Sequence, residues 1–309
     1  MRDQGQEQLD GELLKKSKKG IDMKAKKVGK ITWGQDGAIW GGYLFRFGSH
    51  GECFVYELAE VKKNGAEQET KPICTFKLDK ADLIAPHSNV VSFGNEYFSP
   101  DDEFPLLYSN IYNNYASAQD PLKGVTCVYR LQRNGAAFFT TLVQVIGVGF
   151  AEDAELWRSA DGDIRPYGNF AIDKEKGVYY AFTMRDQAQT TRYFAFELPK
   201  LADGDFDEKL GVRKVVLNTQ DIKEYFDCEY HRFIQGACFH GGKIYSVEGF
   251  SNDTNNPPAL RVIAAYEKQQ AAFYNFVEMG CPVEPEFIEF YEGVCYYVDG
   301  HGNVYELTF

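Results

Sequence analysis

The sequence predicts an all-β fold, a five-bladed β-propeller whose ring is closed by an N-terminal strand that joins the last blade. Three observations predict it. Phe, Tyr and Trp make up 15% of the 309 residues, and these side chains favour pleated, half-buried surfaces. Five segments repeat the same order of strands and turns along the chain. The last of them is one strand short, while the N-terminal region contains a strand without a partner.

Each repeat contains a hairpin, in which a short aromatic strand, a polar or glycine-bearing turn and a second strand follow one another. The hairpins span Gly41 to Leu58, Phe104 to Gln132, Gly177 to Pro199, Gly242 to Glu267 and Gly293 to Phe309. A short strand precedes each hairpin, in GAIW, NVVSFG, GNFAID, QGACFH and EFIEFY. A fourth strand follows the first four hairpins, in PICTFKLD, AFFTTLVQVIGVGF, RKVVLNT and AAFYNFVEMG. Four antiparallel strands in units of about 50–80 residues are typical of a propeller blade.

The segment KKVGKITW, from Lys26 to Trp33, is predicted to complete the last blade and so remove an open sheet edge. We therefore expect a flexible lead-in over residues 1–25 and a single propeller domain over residues 26–309. A pair of β-sandwiches is the alternative, but it leaves the unpaired first strand and the short last unit unexplained. The long insert from Asn110 to Lys123 leaves the number of blades at about five. Helical character is confined to ELLKKSKK near Glu12 and DIKEYF at Asp221.

The charge of the chain indicates which partners to expect. A net charge of -12 argues against a nucleic-acid partner, because phosphate binding needs a basic field. The basic run from Lys15 to Lys27 is interpreted as a solvated segment. No apolar run is long enough to span a membrane, and the N-terminus lacks the apolar stretch of a signal peptide. The sequence as written predicts a soluble, cytoplasmic protein, with a processed secreted or periplasmic form as the alternative; the oligomeric state is left open.

The seven cysteines contain no CxxC pair, and most lie in apolar strand-like runs such as ICTF and VCYYV. This spacing fits neither a zinc site nor a dense disulfide framework, so reduced thiols in the core are expected. The sequence also lacks a GxSxG elbow, a GxxxxGK[ST] phosphate loop and a GxGxxG that opens a helix. No cofactor and no metal are predicted.

In a propeller, the innermost strand of each blade lines the central channel, so the residues at its start are candidates for a site. All five starts carry polar groups before apolar strands. The candidate ligand-binding residues are Asp36, His87, Asn89, Arg165, Tyr167, Asn169, Arg232, Gln235, Glu284 and Glu286. Two interpretations stay open: a shared polar well that binds a ligand, or polar groups that satisfy strand ends and bind only water.

The segment DGAIWGGYLFRFGS, which begins at Asp36, resembles the first blade of the five-bladed glycoside hydrolases of the arabinanase and β-xylosidase type. The resemblance implies hydrolysis of glycans with inversion, by an Asp base, a Glu acid and an Asp that orients the acid. Asp36 corresponds to the base. The second and third blades carry Asn89 and Asn169 near the positions where the other two acids are expected, so the partner acid would be Glu284 or Glu286 on the fifth blade. The chain also resembles a broad group of uncharacterised bacterial propellers, on the pattern from Gln235 to Tyr245.

Three functions follow as hypotheses. The favoured one is a propeller that binds a glycan or another small polar ligand without catalysis, because only one of the three expected catalytic acids is present. Sugar rings stack on aromatic faces, and the aromatic candidates are Trp33, Trp40, Tyr97 and Tyr167. The alternative is a glycoside hydrolase that uses Asp36 with Glu286 or Glu284. A protein-interaction scaffold is the third hypothesis.

Overall fold

The computed structural model describes residues 23–84, 86–111, 125–148, 168–185, 188–231 and 233–309. Its strands form five sheets arranged in a ring, and each sheet is one blade of a β-propeller. The prediction of an all-β, five-bladed propeller is confirmed. The predicted lead-in falls almost entirely outside the described residues, and the first strand begins two residues before the predicted domain boundary at residue 26.

The chain enters the ring at β1 (Lys24–Lys30), which belongs to blade 5. Blade 1 comprises β2 (Gly37–Trp40), β3 (Tyr43–Phe47), β4 (Glu52–Glu57) and β5 (Cys74–Lys77). Blade 2 begins with β6 (Val91–Phe93), β7 (Leu107–Asn110), β8 (Val125–Asn134) and β9 (Ala137–Val148). Blade 3 begins with β10 (Phe170–Asp173), β11 (Val178–Arg185) and β12 (Thr190–Glu197). Two strands that follow, β13 (Asp205–Asp207) and β14 (Val212–Leu217), extend blade 2, and β15 (Glu224–Glu229) completes blade 3.

The last two blades are regular. Blade 4 comprises β16 (Ile234–His240), β17 (Lys243–Glu248), β18 (Ala259–Ala264) and β19 (Gln269–Asn275). Blade 5 comprises β20 (Pro285–Tyr291), β21 (Val294–Asp299) and β22 (Asn303–Thr308), followed by β1. Within these two blades, neighbouring strands are antiparallel. The number and order of their strands agree with the prediction from the sequence.

The burial of each strand follows from its place in the blade. The innermost strand β10 is buried along its whole length, because neighbouring blades cover both faces of a blade near the axis. The outermost strand β19 alternates between exposed and half-buried positions, because one of its faces meets solvent. Innermost strands therefore appear in the sequence as short apolar runs, and outer strands as alternating ones.

The hydrophobic core is divided into layers between blades. One layer, with Phe45 and Phe93 at its centre, joins blades 1 and 2. The largest layer extends over blades 2, 3 and 4, and a third joins blades 4 and 5. The fourth contains Ile39 of blade 1 and Val298 of blade 5. A core of this kind requires a closed ring, because each blade buries its faces against its two neighbours.

The ring is closed as predicted. β1 pairs antiparallel with β22, from Lys24 opposite Thr308 to Lys30 opposite Asn303, with a bulge near Gly29. Residues from the two ends of the chain thus share the sheet of blade 5. This pairing covers what would otherwise be the open edge of β22.

Two predictions about blade 3 are wrong. RKVVLNT, predicted as the outer strand of blade 3, forms β14 and pairs in parallel with β9 of blade 2, with Arg213 opposite Gln144. DIKEYF, predicted as helical, enters β15 after a 3₁₀ turn at Thr219–Asp221. Phe226 and Cys228 are buried while Tyr225 and Asp227 face outward, which is the period of a strand. The segment forms a strand instead of a short helix because it pairs with the otherwise free edge of β12.

Two short helices lie in blade connections: α1 (Leu58–Asn64) between β4 and β5, and α2 (Ala81–Ile84) after β5. The sequence analysis did not predict α1, which buries Leu58 and Val61. Among the described residues, no helix combines the length and the apolar character that crossing a bilayer requires. All seven cysteines are free thiols and six are buried, which confirms the expectation of reduced core cysteines.

Candidate functional site

Five polar side chains, one from each blade, lie where the innermost strands begin. They are Asp36 just before β2, Asn89 two residues before β6, Asn169 just before β10, and Gln235 and Glu286 as the second residues of β16 and β20. None is more than 8% exposed. We call the end of the ring at which these strands begin the top face, and the five side chains the polar well. All five belong to the candidate ligand-binding residues selected from the sequence.

Asp36 links blades 1 and 2. Its Oδ2 accepts a hydrogen bond of 2.9 Å from the backbone N–H of Val91, the first residue of β6. Its Oδ1 is buried and has no hydrogen-bond partner among the described residues. Burial raises the pKa of the Asp36 carboxyl well above its usual value, although the backbone N–H groups of Val91 and Gly37 oppose the rise. Asp36 therefore holds a proton more readily than an exposed aspartate does.

A chain of hydrogen bonds crosses the polar well from blade 2 to blade 5. The Asn89 side-chain amide donates to the backbone oxygen of Ile234 at 2.9 Å and to Oε1 of Gln235 at 3.3 Å. The Gln235 amide then donates to Oε1 of Glu284 at 2.6 Å. At Gly236 a Cβ would lie 2.8 Å from the backbone oxygen of Glu286, so the glycine permits the close approach of β16 and β20. The network fixes one side of the well.

The carboxylates of blade 5 have fewer partners. Oε2 of Glu286 is buried and unpartnered among the described residues, and so is Oε2 of Glu289 further along β20. Burial raises the pKa of both groups; for Glu286 the Arg46 guanidinium opposes this rise and the Glu284 carboxylate adds to it. The pKa of the half-buried Glu284 is also raised by burial. The sequence analysis selected Glu284 and Glu286 but not Glu289, whose position inside EFIEFY resembles that of an ordinary strand residue.

Arg46 is a buried cation close to Glu286, and it was not among the residues selected from the sequence. Its side chain is fully buried, and Nη2 donates to the backbone oxygens of Gly34 at 2.6 Å and Asp299 at 3.2 Å. Nε and Nη1 have no partner among the described residues. Burial lowers the pKa of Arg46, while the negative charges of Glu286, Asp36 and Asp299 oppose that change. The available signal was a single charge inside the apolar strand YLFRF.

His87 and Ser88 lie beside the well in the segment that leads into blade 2. Burial, followed by the charge of nearby His50, lowers the pKa of the half-buried His87 to about 4. Ser88 is buried with a φ of 52°, and its Oγ lies 2.9 Å from Oγ of Ser109. His87 is therefore neutral at physiological pH, and Ser88 is held by the second strand of its own blade.

Asn169 brings the third blade into the well. Its side chain is 1% exposed, and neither the amide nitrogen nor the amide oxygen has a partner among the described residues. Three other predicted site residues, Arg165, Tyr167 and Arg232, lie outside the described residues.

The aromatic residues predicted to flank the well are not grouped around it. Trp33 lies on the top face and is 63% exposed. Trp40 ends β2 at the opposite face and packs on Phe93, with ring centroids 5.8 Å apart. Tyr97 lies in the β6–β7 connection, also at the opposite face, and Tyr167 lies outside the described residues. Of the three aromatic candidates among the described residues, Trp33 is thus the one on the same face as the well.

The described residues contain no candidate metal site. Within these ranges, no three His, Cys, Asp or Glu side chains converge in a way that could hold a metal ion. The nearby charge that acts on the carboxyls of Asp36 and Glu286 is the guanidinium of Arg46.

No protein-family model and no curated protein matches this chain. Among solved structures, glutaminyl cyclase from Myxococcus xanthus is similar over 93% of this chain and 94% of its own, with 9% identity and a TM-score of 0.46. The computationally designed protein Ika8 is similar over 89% of this chain and 70% of its own, with 10% identity and a TM-score of 0.30. BamB from Moraxella catarrhalis is similar over 91% of this chain and 58% of its own, with 9% identity and a TM-score of 0.32. Likeness at this level says nothing about what the chain binds or catalyses.

Proposed function

We propose that this propeller is a binding protein whose polar well takes a small polar ligand on the top face, with glycans as the first class to test. One observation carries the proposal. Four of the five residues of the polar well, Asp36, Asn89, Asn169 and Glu286, have a buried polar atom without a partner among the described residues, and so does Arg46 on β3 of blade 1.

The number of these unpartnered atoms has an energetic consequence. Leaving one buried donor or acceptor without a partner costs about 1–3 kcal/mol. Buried polar groups in folded proteins are therefore nearly always hydrogen-bonded to protein, water or ligand. An isolated exception is readily satisfied by one water molecule. A group of exceptions around one axis supports a site in which a ligand supplies several hydrogen bonds at once.

Binding is favoured over glycoside hydrolysis for a chemical reason. Inverting hydrolysis uses one ionised carboxylate as base and one protonated carboxyl as acid. Burial raises the pKa of both Asp36 and Glu286, so their environments do not divide them into a base and an acid. Moreover, one Asp36 oxygen is engaged by the backbone of Val91. The hydrolase stays a hypothesis that the same experiment tests.

The experiment is a thermal-shift and calorimetric screen of the full chain against mono- and oligosaccharides and polyols, since a true ligand raises Tm by mass action. The site variants are Glu286→Gln and Asn169→Ala, and the matched control is Glu278→Gln, which changes an exposed carboxylate in the loop before β20. We expect a ligand to shift Tm in the wild type and the control but not in the site variants.

Two results would contradict the proposal. If no polar ligand shifts Tm, or if a ligand shifts it equally in Glu286→Gln, the well is a structural feature and the interaction-scaffold hypothesis gains. If reducing sugar is released from a glycan and Asp36→Asn abolishes the release, the protein is a hydrolase.

A further inference from the structure

A cavity of about 450 Å³ lies on the top face between blades 3 and 4, and its size is within the range of about 300–1,000 Å³ typical of small-molecule sites. Blade 4 lines most of it, through Glu248 and the loop from Gly249 to Pro257, and Tyr230, directly after β15, lines the side toward blade 3. Glu248 pairs with Ile234, the first residue of β16, which places the cavity on the top face. It shares no residue with the polar well. We call it the seam cavity.

A buried pair of opposite charges, Glu248 and Arg261, lines the seam cavity, and each residue is 7% exposed. Arg261 donates to Oε1 of Glu248 at 2.7 Å and to Oε2 at 3.3 Å. It also donates to the backbone oxygen of Tyr230 and to Oε1 of Gln270. These bonds use four of the five guanidinium N–H donors, and each Glu248 oxygen can accept a second bond. The pair therefore compensates its own charge and still offers hydrogen bonds of both kinds.

His231 lies against this pair and adds no charge to it. Its Nδ1 is 3.6 Å from Oε2 of Glu248, and its Nε2 is 3.2 Å from the hydroxyl of Tyr193. Burial, followed by the positive charge of Arg261, lowers the pKa of the His231 imidazole well below its usual value. Since the imidazole is neutral, the groups that line the seam cavity carry no net charge.

The other side chains of the seam cavity are uncharged, and some of them reach solvent. Phe273 is 45% exposed, and the Arg261 guanidinium lies over its ring, 4.8 Å from the centroid. Asn255 is exposed at the end of a loop that Asp253 holds, because Oδ1 of Asp253 accepts the backbone N–H groups of Asn255 and Asn256 at 2.8 and 3.0 Å. A ligand that enters the cavity thus meets an apolar ring and an amide before it meets the buried pair.

These properties favour a neutral ligand with several hydroxyl groups. A ligand with a net charge would be buried without a counterion, because the charges of the cavity already compensate each other. An apolar ligand would cover the free positions of Glu248 and Arg261 without giving them hydrogen bonds. A hydroxyl group both donates and accepts, so it suits a carboxylate, a guanidinium and an amide alike. The carbon-bound hydrogens of a sugar ring can lie against Phe273.

We propose that the seam cavity binds a neutral monosaccharide unit. Its hydroxyl groups contact Glu248 and Arg261, its ring lies against Phe273, and Asn255 contacts it at the mouth of the cavity. This site goes beyond the proposed function, because the seam cavity and the polar well have no residue in common.

The test begins with saturation-transfer NMR of the full chain against the methyl glycosides of the common hexoses, followed by calorimetric titration of those that bind. Phe273→Ala should weaken binding about tenfold, because it removes the ring against which the sugar lies. The matched control is Phe139→Ala, which removes a similarly exposed ring from β9 of blade 2 and should leave Kd unchanged. Both side chains are exposed, so both variants are expected to fold, and their Tm without sugar verifies this.

Two further measurements test the polar contacts. The 2-amino sugar and the uronic acid that correspond to the bound hexose carry one positive and one negative charge, and we expect each to bind at least tenfold more weakly than the neutral glycoside. Asn255→Ala should also weaken binding, since it removes an amide at the mouth of the cavity. Charged analogues that bind as tightly as the neutral sugar would overturn the proposal.

The remaining outcomes separate this site from the polar well. Binding that is lost in Phe273→Ala and kept in Glu286→Gln supports the seam cavity. A sugar whose binding is lost in Glu286→Gln and kept in Phe273→Ala lies in the polar well, which overturns the seam cavity and supports the proposed function. Equal weakening by Phe273→Ala and Phe139→Ala also overturns the seam cavity. If no methyl glycoside binds, the seam cavity is not a sugar site, whereas another polar ligand of the well would leave the proposed function standing.

Discussion

The carboxylate of Asp36 accepts a hydrogen bond of 2.9 Å from the backbone N–H of Val91, and this bond joins the starts of the innermost strands of blades 1 and 2. A residue selected as a candidate catalytic base therefore also has a structural role. The bond satisfies a backbone donor that would otherwise be buried at the beginning of β6. It also fixes one carboxylate oxygen and leaves the other without a partner among the described residues.

Asp36→Asn and Asp36→Ala separate these two roles. Asparagine keeps an acceptor for Val91 and matches the protonated carboxyl in shape, so we expect a change in unfolding free energy below about 1 kcal/mol. Alanine leaves the Val91 N–H buried without a partner and should cost about 1–3 kcal/mol. Urea unfolding of both variants measures the difference. Equal losses in the two variants would show that the hydrogen bond is not what Asp36 contributes.

Removal of the closing strand tests how the ring is held together. A chain that lacks residues 1–30 loses β1 and exposes the edge of β22, so we expect Tm to fall by on the order of 10 °C. A chain that lacks only residues 1–22 keeps β1 and is expected to melt as the full chain does. Scanning calorimetry of the two truncations checks this. A large loss in the shorter truncation would contradict the predicted flexible lead-in.

The strand pair that extends blade 2 depends on Gly204. This residue has a φ of 84°, and a Cβ there would lie 2.4 Å from the backbone oxygen of Lys214 on β14. Gly135, in the β8–β9 turn, also has a positive φ of 61° but has open space around the Cβ position. We expect Gly135→Ala to cost about 1–2 kcal/mol from backbone strain, and Gly204→Ala to cost clearly more. Equal losses, measured by chemical unfolding, would show that β13 and β14 adjust without cost.

A buried ion pair joins β17 and β18, two neighbouring strands of blade 4. Arg261 donates to Oε1 of Glu248 at 2.7 Å and to Oε2 at 3.3 Å, and both side chains are buried. We expect Arg261→Met to cost about 3–5 kcal/mol, because it leaves Glu248 buried without its partner. The double change Arg261→Met with Glu248→Leu should recover much of the loss.

The exposed pair Lys63 and Glu60 is the control for the ion-pair measurement. Lys63→Met should change stability by less than about 1 kcal/mol. A double variant that is no more stable than Arg261→Met would indicate that the shape of the pair matters more than its charge.

His87 predicts a pH dependence. Burial lowers its pKa to about 4, below the ordinary value of 6.5, so the unfolded chain binds the proton more tightly than the folded one. The contribution of His87 to stability is fully present above pH 6.5 and is lost as the pH falls toward 4; it amounts to about 3 kcal/mol at most. His87→Gln should flatten the dependence of unfolding free energy on pH in that window. His301→Gln, at an exposed position, is the control and should keep the wild-type slope. Parallel curves for wild type and His87→Gln would contradict the prediction.

The innermost strands and the closure of the ring were predictable because local patterns determine them. GAIW and GNFAID are apolar runs that only a strand covered on both faces explains, and the unpaired first strand matched the missing strand of the last unit. The polar residues before these runs were equally visible, since Asp36 and Asn169 each break the pattern at the same place in the blade.

Other features depended on contacts that sequence patterns do not encode. The strand RKVVLNT has the alternation of any outer strand, and nothing in it distinguishes the edge of β9 in blade 2 from the edge of β12 in its own blade. The isolated charge of Arg46 gave no sign of its neighbours, because Gly34 and Asp299 reach it through folding and not through spacing.

The sequence by itself determined the all-β class, the blade repeat, the strand that closes the ring and the polar starts of the innermost strands. Each of these depends on the period of apolar residues or on turn chemistry, which act over a few neighbours in the chain. Only the tertiary structure decided which edge each outer strand joins and which charges share the well. Those outcomes depend on distances between residues far apart in sequence, and a buried charge acquires its chemistry from the partners that folding brings to it or leaves out.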